Sequence, residues 1–584
     1  MNEIKITEDF IINGEKVKLI SGAVHYFRIV PEYWADTLKD LIDMGCNCVE
    51  TYIPRNLHEP FHNKFDFSYI KDLEKFIKLV DDLGLYLIIR PSPYICAEWE
   101  FGGLPAWLLK ENNIRLRTDD EKYLSYVDNY YSVLIPKIAK YQWTKSGPII
   151  LVQLENEYGS YRENKNYLKK LHNMLLKYGI EVPIFTSDGT WPEALEAGSY
   201  TENGVFPLAN FGSDPKTNIK ELEKFKNKYG IKSPIMCMEF WDGWFNKWGQ
   251  EIIRRDPIDL ASDAKEMLDL GSINFYMFQG GSNFGFMNGC SARGEKDFPQ
   301  ITSYDYDAIL TEAGQKTEKY HLLREIITKK SDILPNRRKL SQYDDIKLNR
   351  KVSLFSTLDT ISKKIENTNT LSFENLDHYY GYVIYEHKFS TSNDELRMRI
   401  IDARDRAKIY LNDDYVKTQY QDEIGEEIIL SAKKGEENNL KILVENMGRV
   451  NYGYKLEAYS QKKGIKRGVM LDIHFTDDWT HYCIDFDKIS DINWKGVYKE
   501  GPAFYEYILE TENPMESYIN LEGFGKGIVL VNGFNLGRFY NLGPSLSLYL
   551  PGSILRKGKN QIIVFETESI YQEKLIFNSS PVNK

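Results

Sequence analysis

The chain has 584 residues, too many for one hydrophobic core, so its length predicts two to four domains. Acidic residues outnumber basic ones, 85 Asp and Glu against 74 Lys and Arg, and the net charge of −11 is spread along the chain without a basic block. This charge argues against nucleic acid and anionic membranes as partners.

The sequence has no pattern of a targeting or membrane-spanning segment. Residues 1–10 lack a basic start and a cleavage site, and no stretch approaches the roughly 18 uninterrupted apolar residues of a membrane span. Six cysteines stand without framework spacing, and Cys46 and Cys48 lack a second pair that would complete a metal site. We therefore expect a soluble, cytoplasmic protein with buried, reduced thiols and no metal.

Residues 1–330 alternate short apolar runs with amphipathic stretches of helical length, which is the pattern of successive βαβ units. An opening hairpin is predicted to turn at Asn13-Gly14. Helices are expected over 33–44, 69–83, 123–139 and 257–270. Eight strands are expected to begin near Leu19, Cys48, Tyr86, Ile149, Ile184, Leu208, Ile235 and Ile273. Eight strands over about 300 residues predict a closed (β/α)8 (TIM) barrel, an α/β fold whose active site lies where the strands end.

Beyond residue 330 the pattern changes to short β-branched and aromatic runs separated by Asn, Asp and Gly turns, which is typical of β-sandwiches. The segment IYLNDD at 409–414 returns as VLVNGF at 529–534, and NLKILVE at 439–445 returns as NQIIVFE at 560–566. We therefore predict two copies of one jelly-roll sandwich, over 371–495 and 496–584. The polar stretch 331–370 is predicted to be a linker, with 352–355 as a candidate strand for either sandwich.

Two predicted strand ends carry carboxylates. The segment GPIILVQLENEYG at 147–159 ends in Glu155-Asn156-Glu157, and PIMCMEFWDGWFNKWG at 234–249 places Glu239 after an apolar strand. Glycoside hydrolysis needs two carboxyls across the scissile bond, one protonated and one ionised. Glu157 and Glu239 follow the fourth and seventh strands and form the candidate pair. Glu155 is expected to be a helix-start or surface residue.

Aromatic and acidic residues suited to sugar binding surround this pair. Pyranose rings offer apolar faces to aromatic rings and hydroxyls to carboxylates. Each aromatic taken alone would be ordinary packing, but most of them follow a predicted barrel strand. The candidates are Tyr52, Glu98, Tyr276, Tyr304 and Tyr306.

Together these segments resemble glycoside hydrolase family 35, the β-galactosidases of the large retaining (β/α)8 clan. The resemblance runs from the hairpin to the last sandwich through YICAEWEFGGLPAWL, ENEYG, MEFWDGW, TSYDYDA and GKGIVLVNGFNLGRFY. It implies that Glu157 is the acid/base and Glu239 the nucleophile, that the sandwiches are galactose-binding-like, and that no cofactor is needed. The implied partners are β-galactoside oligosaccharides or glycan termini. The implied galactose subsite consists of Tyr52, Ala97, Glu98, Asn156, Tyr276 and Tyr306.

Two positions depart from the family pattern, Arg55 where many relatives have Trp and Trp241 where some have Tyr. Both are expected on the leaving-group side. MEFWDGWFNKWG most resembles the bacterial members that prefer β-1,3-linked galactose. We expect Trp241 and Trp244 to form a platform for the sugar after the cleaved bond, with Tyr454 or its neighbour Tyr452 completing the wall.

Three alternatives remain at this stage. His58 and His62 match the H-E-x-x-H zinc pattern, but Pro60 breaks the required helix. Another retaining exo-glycosidase of the clan, acting on β-glucosides or β-glucosaminides, would share the two glutamates. A non-catalytic glycan-binding protein would have no chemical need for both of them. The oligomeric state stays open, with a homo-oligomer among the options.

Overall fold

The computed structural model describes residues 2–584 and opens with a small antiparallel sheet. Its strands are β1 (Ile4–Ile6), β2 (Phe10–Ile12) and β3 (Glu15–Val17). β2 and β3 pair across Asn13-Gly14, whose φ angles of 50° and 86° are those of the predicted hairpin turn. Phe10 and Ile12 then pack against the barrel interior at the end opposite the active site.

Eight parallel strands close into a barrel in the order β10-β11-β4-β5-β6-β7-β8-β9. This confirms the predicted (β/α)8 barrel, and each strand begins within two residues of its predicted start. Because the helices cover the outer face, nearly every strand residue is buried. The strands are β4 (Ile20–Val24), β5 (Cys48–Tyr52), β6 (Tyr86–Arg90), β7 (Ile149–Asn156), β8 (Ile184–Gly189), β9 (Phe206–Asn210), β10 (Met236–Trp241) and β11 (Ser272–Gln279).

Helix boundaries in the barrel follow local capping. The Asp120 side chain accepts from the Tyr123 amide, so the helix predicted from 123 begins two residues earlier, and the Asp72 cap starts another at Leu73. The helices are α1 (Trp34–Met44), α2 (Arg55–His58), α3 (Leu73–Asp82), α4 (Glu121–Ala139), α5 (Lys165–Lys177), α6 (Pro192–Gly198), α7 (Pro215–Tyr229), α8 (Pro257–Leu270) and α9 (Glu318–Thr328).

A hairpin of β12 (Cys290–Arg293) and β13 (Lys296–Pro299) follows the barrel strands. Within the stretch 331–370, β14 (Ile346–Ser353) joins the last sandwich by pairing with one of its central strands. After α10 (Leu358–Ile361), β15 (Ser362–Asn367) joins the edge of the first sandwich.

The first sandwich packs a six-stranded sheet, β15-β25-β16-β21-β18-β19, on a four-stranded sheet, β20-β17-β23-β24. Its remaining strands are β16 (Tyr382–Ser390), β17 (Glu395–Arg404), β18 (Arg406–Leu411), β19 (Asp414–Tyr420), β20 (Ile428–Ser431), β21 (Glu437–Glu445), β22 (Val450–Tyr452), β23 (Gly464–Leu471), β24 (His474–Phe475) and β25 (Trp479–Ile484). β22 leaves the sandwich and pairs with β12 of the barrel hairpin.

The last sandwich is built from an eight-stranded sheet in the order β29-β28-β31-β26-β14-β32-β27-β30. Its remaining strands are β26 (Ala503–Thr511), β27 (Ser517–Asn520), β28 (Lys526–Val531), β29 (Phe534–Tyr540), β30 (Ser547–Leu550), β31 (Gly558–Glu566) and β32 (Lys574–Asn578). The two sandwiches share an apolar interface that includes Ile384, Leu443, Ile528 and Phe565.

The sequence repeat is a structural repeat. β18 and β28 each enter a tight turn and pair antiparallel with β21 and β31 respectively. Asn412 and Asn532 both have left-handed φ angles, 54° and 51°. The Asn412 Oδ1 accepts from the Asn439 amide at 2.9 Å, and the Asn532 Oδ1 accepts from the Gln561 amide at 3.1 Å. In both copies, an asparagine at the turn thus accepts a hydrogen bond from the neighbouring strand.

The six cysteines are buried free thiols, as predicted. Among residues 2–584, no group of three or more His, Cys, Asp or Glu side chains has the arrangement of a metal site. Nor does any helix in that range combine the length and apolarity needed to cross a membrane.

Candidate active site

Glu157 and Glu239 lie at the carboxyl ends of β7 and β10, where the barrel mouth opens. Glu157 follows the last residue of β7 and has a left-handed φ of 40°, which turns the chain sharply away from the strand. Such a conformation is uncommon for a residue with a side chain and is concentrated at functional sites. Glu239 lies within β10 and is 7% exposed.

Three donors surround the Glu239 carboxylate. Arg90 Nη1 lies 2.7 Å from Oε1, the Tyr52 hydroxyl lies 2.5 Å from the same oxygen, and Trp241 Nε1 donates to Oε2 at 3.2 Å. Hydrogen bonds and a cation at this range favour the ionised form of a carboxyl group. Glu239 is therefore placed to act as an anion in a largely dry pocket.

Glu157 has the opposite surroundings. Its one side-chain hydrogen bond comes from Asn210 Nδ2, which donates to Oε1 at 2.8 Å. Burial, followed by the negative charge of Glu239, raises the pKa of Glu157 to about 8, although the Asn210 hydrogen bond opposes the rise. At neutral pH Glu157 is therefore largely protonated, as a carboxyl that serves as an acid must be.

Arg90, at the end of β6, connects several of these groups. Its Nη2 donates to Asn156 Oδ1 at 2.9 Å, and its guanidinium stacks over the Tyr52 ring at 3.9 Å. A second carboxyl, Glu50, lies 3.8 Å from Arg90 Nη1. Burial raises the pKa of Glu50 to about 8 even though Arg90 lowers it, so Glu50 is largely neutral and leaves the Arg90 charge directed at Glu239.

The opposite wall of the pocket is formed by tyrosines around Glu98. The Tyr304 hydroxyl donates to Glu98 Oε2 at 2.6 Å and lies 3.2 Å from the Tyr276 hydroxyl. The Tyr276 and Tyr306 rings meet edge to face at 5.5 Å. Burial raises the pKa of Glu98 to about 7. These contacts bring the predicted Tyr276, Glu98, Tyr304 and Tyr306 together.

The backbone that carries Ala97 and Glu98 is held from behind by Arg28. Residues 96–98 all have positive φ angles of 46–56°. The Arg28 Nη2 donates to the Ala97 carbonyl, its Nε donates to Asn283 Oδ1 at 2.8 Å, and its guanidinium lies 3.7 Å from the Tyr304 ring centroid. This residue therefore fixes the strained loop that presents Glu98 to the pocket.

Trp241, the last residue of β10, and Trp244, in the loop that follows, are half-buried and lie side by side, with their rings at 84° and 5.6 Å apart. Between them, a Cβ at Gly243 would lie 1.7 Å from the Tyr306 carbonyl oxygen, so glycine permits the close approach of this loop to the tyrosine wall. The Trp244 amide donates to that same carbonyl at 2.9 Å.

The first sandwich contributes Tyr452, and not Tyr454, to the vicinity of Glu157. Burial, and after it the charge of Glu157, raises the pKa of Tyr452, which is 42% exposed. Tyr454 is 70% exposed, and its hydroxyl donates to the Gly294 carbonyl of the β12–β13 hairpin at 2.9 Å. The structure therefore directs Tyr454 toward the hairpin.

Two expectations about charged residues were wrong. Arg55 is fully buried, paired with Glu59 at 2.8 Å and packed over the Trp107 ring at 5.2 Å, so it does not face a leaving group. Glu155 is neither a helix start nor a surface residue, because it is buried and paired with Arg117 at 2.6 Å. In both cases the buried charge is paired with an opposite charge, because an unpaired buried charge would be strongly destabilising.

The histidines of the zinc-like pattern serve packing. α2 ends at His58, whose Nδ1 lies 3.0 Å from the Asp66 carbonyl oxygen and whose ring stacks on Phe67 at 4.6 Å. His62 instead packs on Trp107 at 4.8 Å. The chain leaves the helix before the second histidine, so the two rings do not share a helical face.

Two buried carboxyls lie at the ends of the fourth and seventh strands of a parallel barrel and face a wall of tyrosines; one is protonated at neutral pH and the other is surrounded by donors. This is the architecture of a glycoside hydrolase. The chain belongs to the glycosyl hydrolases family 35, whose family model matches residues 9–330. Models described as the first all-beta domain and the galactose-binding domain of beta-galactosidase match residues 370–485 and 502–560.

Whole-length relatives agree with this assignment. The chain is 37% identical over 576 residues to beta-galactosidase-1-like protein 3 of Mus musculus, a match that covers 95% of this chain and 86% of that protein. It is 34% identical to beta-galactosidase 17 of Arabidopsis thaliana (97% and 87%) and 35% identical to beta-galactosidase 1 of Dictyostelium discoideum (96% and 91%). The predictions of the fold class and of a glycoside hydrolase of the β-galactosidase family are confirmed.

Proposed function

We propose that the chain is a retaining exo-β-galactosidase that releases terminal, non-reducing β-galactose from oligosaccharides or glycan termini and prefers β-1,3 linkages. The observation that carries this proposal is the contrast between the two carboxyls. Glu239 is surrounded by donors and Glu157 is protonated by burial and by its neighbour's charge. The names of the relatives support galactose as the sugar.

In this mechanism Glu239 attacks the anomeric carbon while Glu157 gives its proton to the departing glycosidic oxygen. The products of this step are a galactosyl ester of Glu239 and the free alcohol. Glu157, now ionised, takes a proton from water, which attacks the ester and restores both carboxyls. Arg90 and Tyr52 stay on the Glu239 oxygen that is not bonded to sugar and stabilise it as the ester breaks.

Retention is tested by proton NMR of the galactose first formed from a β-galactoside. The expected product is the β-anomer, because double displacement inverts the centre twice. In agreement with this mechanism the carboxyl groups should lie about 5 Å apart. An α-anomer as the first product would contradict the proposal.

The division of roles is tested with two variants and a control. Glu239→Gln should abolish turnover of all substrates. Glu157→Ala should slow poor leaving groups most, and azide should rescue it on activated aryl galactosides with a β-galactosyl azide as product. The exposed Glu193→Gln should behave as wild type. An α-galactosyl azide from the Glu157 variant would reverse the assignments.

The sugar is tested with aryl β-galactosides, β-glucosides and β-glucosaminides compared side by side. We expect the galactoside to have by far the highest kcat/KM. Preference for either of the other two would favour the alternative of another exo-glycosidase. Absence of hydrolysis with every substrate would favour a glycan-binding protein.

The linkage preference is tested at Trp244. We infer that Trp241 and Trp244 hold the sugar after the cleaved bond, because both follow Glu239 and remain half-buried at the mouth. Trp244→Ala should lower kcat/KM on a β-1,3-linked disaccharide about fivefold or more, as loss of a stacking contact predicts, and leave an aryl galactoside unchanged. Trp191→Ala, at an exposed tryptophan, is the control. Equal losses on β-1,3- and β-1,4-linked substrates would contradict the platform.

A further inference from the structure

A second concave region lies where the barrel meets both sandwiches, with a volume of about 1180 Å³. Its walls come from residues 56–64 of the barrel, 376–380 of the first sandwich and 533–535 of the last sandwich. We call this region the junction groove. Neither Glu157 nor Glu239 lines it, and its volume exceeds the roughly 300–1,000 Å³ of most small-ligand pockets. The groove has room for an extended ligand.

Buried aromatic rings connect the wall of the junction groove with the tyrosine wall of the active site. Phe27 and Trp99 line it and contact each other edge to face at 4.7 Å. On its other side the Phe27 ring stacks on His25 at 5.2 Å, and His25 lies 5.6 Å from the Tyr276 ring of the tyrosine wall. Phe27, His25 and Tyr276 thus form a chain of ring contacts between the junction groove and the tyrosine wall.

Aromatic rings from all three domains line the junction groove. Phe61 of the barrel is 42% exposed and lies 5.6 Å from the Tyr379 ring of the first sandwich. Across the groove, Phe534 of the last sandwich is part-exposed and packs against Phe284 at 5.0 Å. Partly exposed rings at several points of one groove are suited to stacking on the flat, apolar faces of sugar rings.

The charges of the junction groove are balanced. Four lysines, Lys64, Lys71, Lys110 and Lys363, face four carboxylates, Glu111, Asp377, Asp485 and Asp487. Some are already paired: Asp377 Oδ1 accepts from Lys110 Nζ and from the Tyr379 hydroxyl, both at 2.7 Å. A groove without net charge has no electrostatic preference for a polyanion or a polycation, whereas its many polar groups suit hydroxyls.

We propose that the junction groove binds a neutral oligosaccharide as a second, non-catalytic site. The aromatic rings stack on sugar faces, the paired charges bind hydroxyls, and the volume of about 1180 Å³ accommodates several sugar units. Bound there, a glycan chain would be held by all three domains at once. This site does not depend on which sugar the two glutamates release.

Binding stoichiometry tests the proposal, using the Glu239→Gln chain so that the probes are not consumed. The probes are tetrasaccharides of β-1,3-galactose, β-1,4-galactose and β-1,4-glucose, titrated by calorimetry. We expect two sites per chain with at least one probe. Phe61→Ala, and separately Phe534→Ala, should weaken the second site about fivefold or more, by loss of one stacking contact. Phe475→Ala, an exposed phenylalanine of the first sandwich, should change nothing.

One site per chain with all three probes, or a second site that ignores both groove variants, would overturn the proposal. Tighter binding of a tetrasaccharide of galacturonate would also overturn it, because the groove would then select an anion. In an otherwise wild-type chain, Phe61→Ala should leave kcat/KM on an aryl galactoside unchanged. Failure of the proposed catalytic function would appear differently, as absence of hydrolysis of every aryl glycoside by the wild-type chain.

Discussion

Single residues determine the protonation states on which the candidate site depends. Arg90 reaches the Glu239 carboxylate and Asn156, and Glu50 stands beyond it. Removing one partner from a buried pair of charges typically costs about 3–5 kcal/mol, because the remaining charge is left in a dry environment. Arg90 is therefore the charged partner of Glu239, and because Glu50 is largely neutral it does not compete for the Arg90 charge.

The pH dependence should show the raised pKa of Glu157. The proposed general acid must be protonated to act, so kcat/KM should fall as the pH rises through about 8, the pKa of Glu157. In the Glu239→Gln chain the neighbouring charge is gone, so the pKa of Glu157 should decrease. Titration of Glu157 by carbon NMR in both chains measures this. An unchanged or higher pKa in the variant would contradict coupling between the two glutamates.

Glu50→Gln should have only a small effect on kcat/KM at pH 6. Because the pKa of Glu50 is raised to about 8, wild-type Glu50 is already neutral at that pH, and Gln has the same shape and charge. We expect kcat/KM to change by less than about tenfold, the effect of at most one altered hydrogen bond. Arg90→Gln is the matched comparison and should lose far more. A large loss in Glu50→Gln would mean that Glu50 works as an anion.

The sequence predicts the two glutamates because each ends a recognisable strand, and the tyrosines because they follow such strands. It does not reveal Arg90, Asn210 or Arg28, because their partners lie far away in the chain. Arg90 did leave one signal, a charge that closes the apolar run YLIIR. For Arg55, the four-residue spacing to Glu59 is the spacing of a local ion pair. That spacing predicts where the Arg55 side chain lies, whereas the departure from the family pattern does not.

Among the secondary-structure elements, the repeat between the sandwiches shows how sequence patterns carry over into structure. Strand starts and the turns at Asn13, Asn412 and Asn532 were predictable because they depend on local periodicity and on backbone preferences. The placement of β14 and β15 was not, because each is partly exposed and its partners lie more than one hundred residues away. Cross-strand pairing, rather than local propensity, fixes such strands.

The two turn asparagines should have equal effects on stability. Asn412→Ala and Asn532→Ala each remove hydrogen bonds to the neighbouring strand and leave a Cβ-bearing residue in a left-handed conformation. We expect each change to cost about 1–3 kcal/mol and so to shorten the half-life of activity on heating. Glycine at the same positions avoids the backbone strain and should cost less. Unequal losses in the two copies would contradict their structural equivalence.

In the whole molecule, a buried ionic contact joins the barrel to the first sandwich. Arg449 Nη1 lies 2.7 Å from Glu100 Oε1 of the barrel, and its Nη2 lies 2.6 Å from Glu374 Oε1 of the sandwich. All three side chains are fully buried. The contact needs all three side chains, because the loss of any one of them leaves a buried charge without its partner.

Arg449→Met should sharply shorten the half-life of activity on heating, because two buried carboxylates lose their common partner, a change worth about 3–5 kcal/mol. Heat inactivation is the suitable measurement, since a chain with several domains has no single free energy of unfolding. The control is Arg397→Met, which removes an exposed arginine 4.0 Å from Asp472 and should have little effect. Equal half-lives for the two variants would show that Arg449 does not hold the domains together.

The indole of Trp241 has a consequence for how such an enzyme can diverge. Its N–H donates to Glu239 while its ring lies at the mouth beside Trp244. Any substitution of Trp241 by a residue that cannot donate also removes a hydrogen bond from the Glu239 carboxylate. Under the proposed mechanism, a change of the leaving sugar through position 241 would therefore come with slower chemistry. The Trp244 side chain makes no hydrogen bond to Glu157 or Glu239, so a substitution there removes no donor from either carboxyl group. Laboratory evolution toward other acceptors should therefore accumulate changes at 244 before 241.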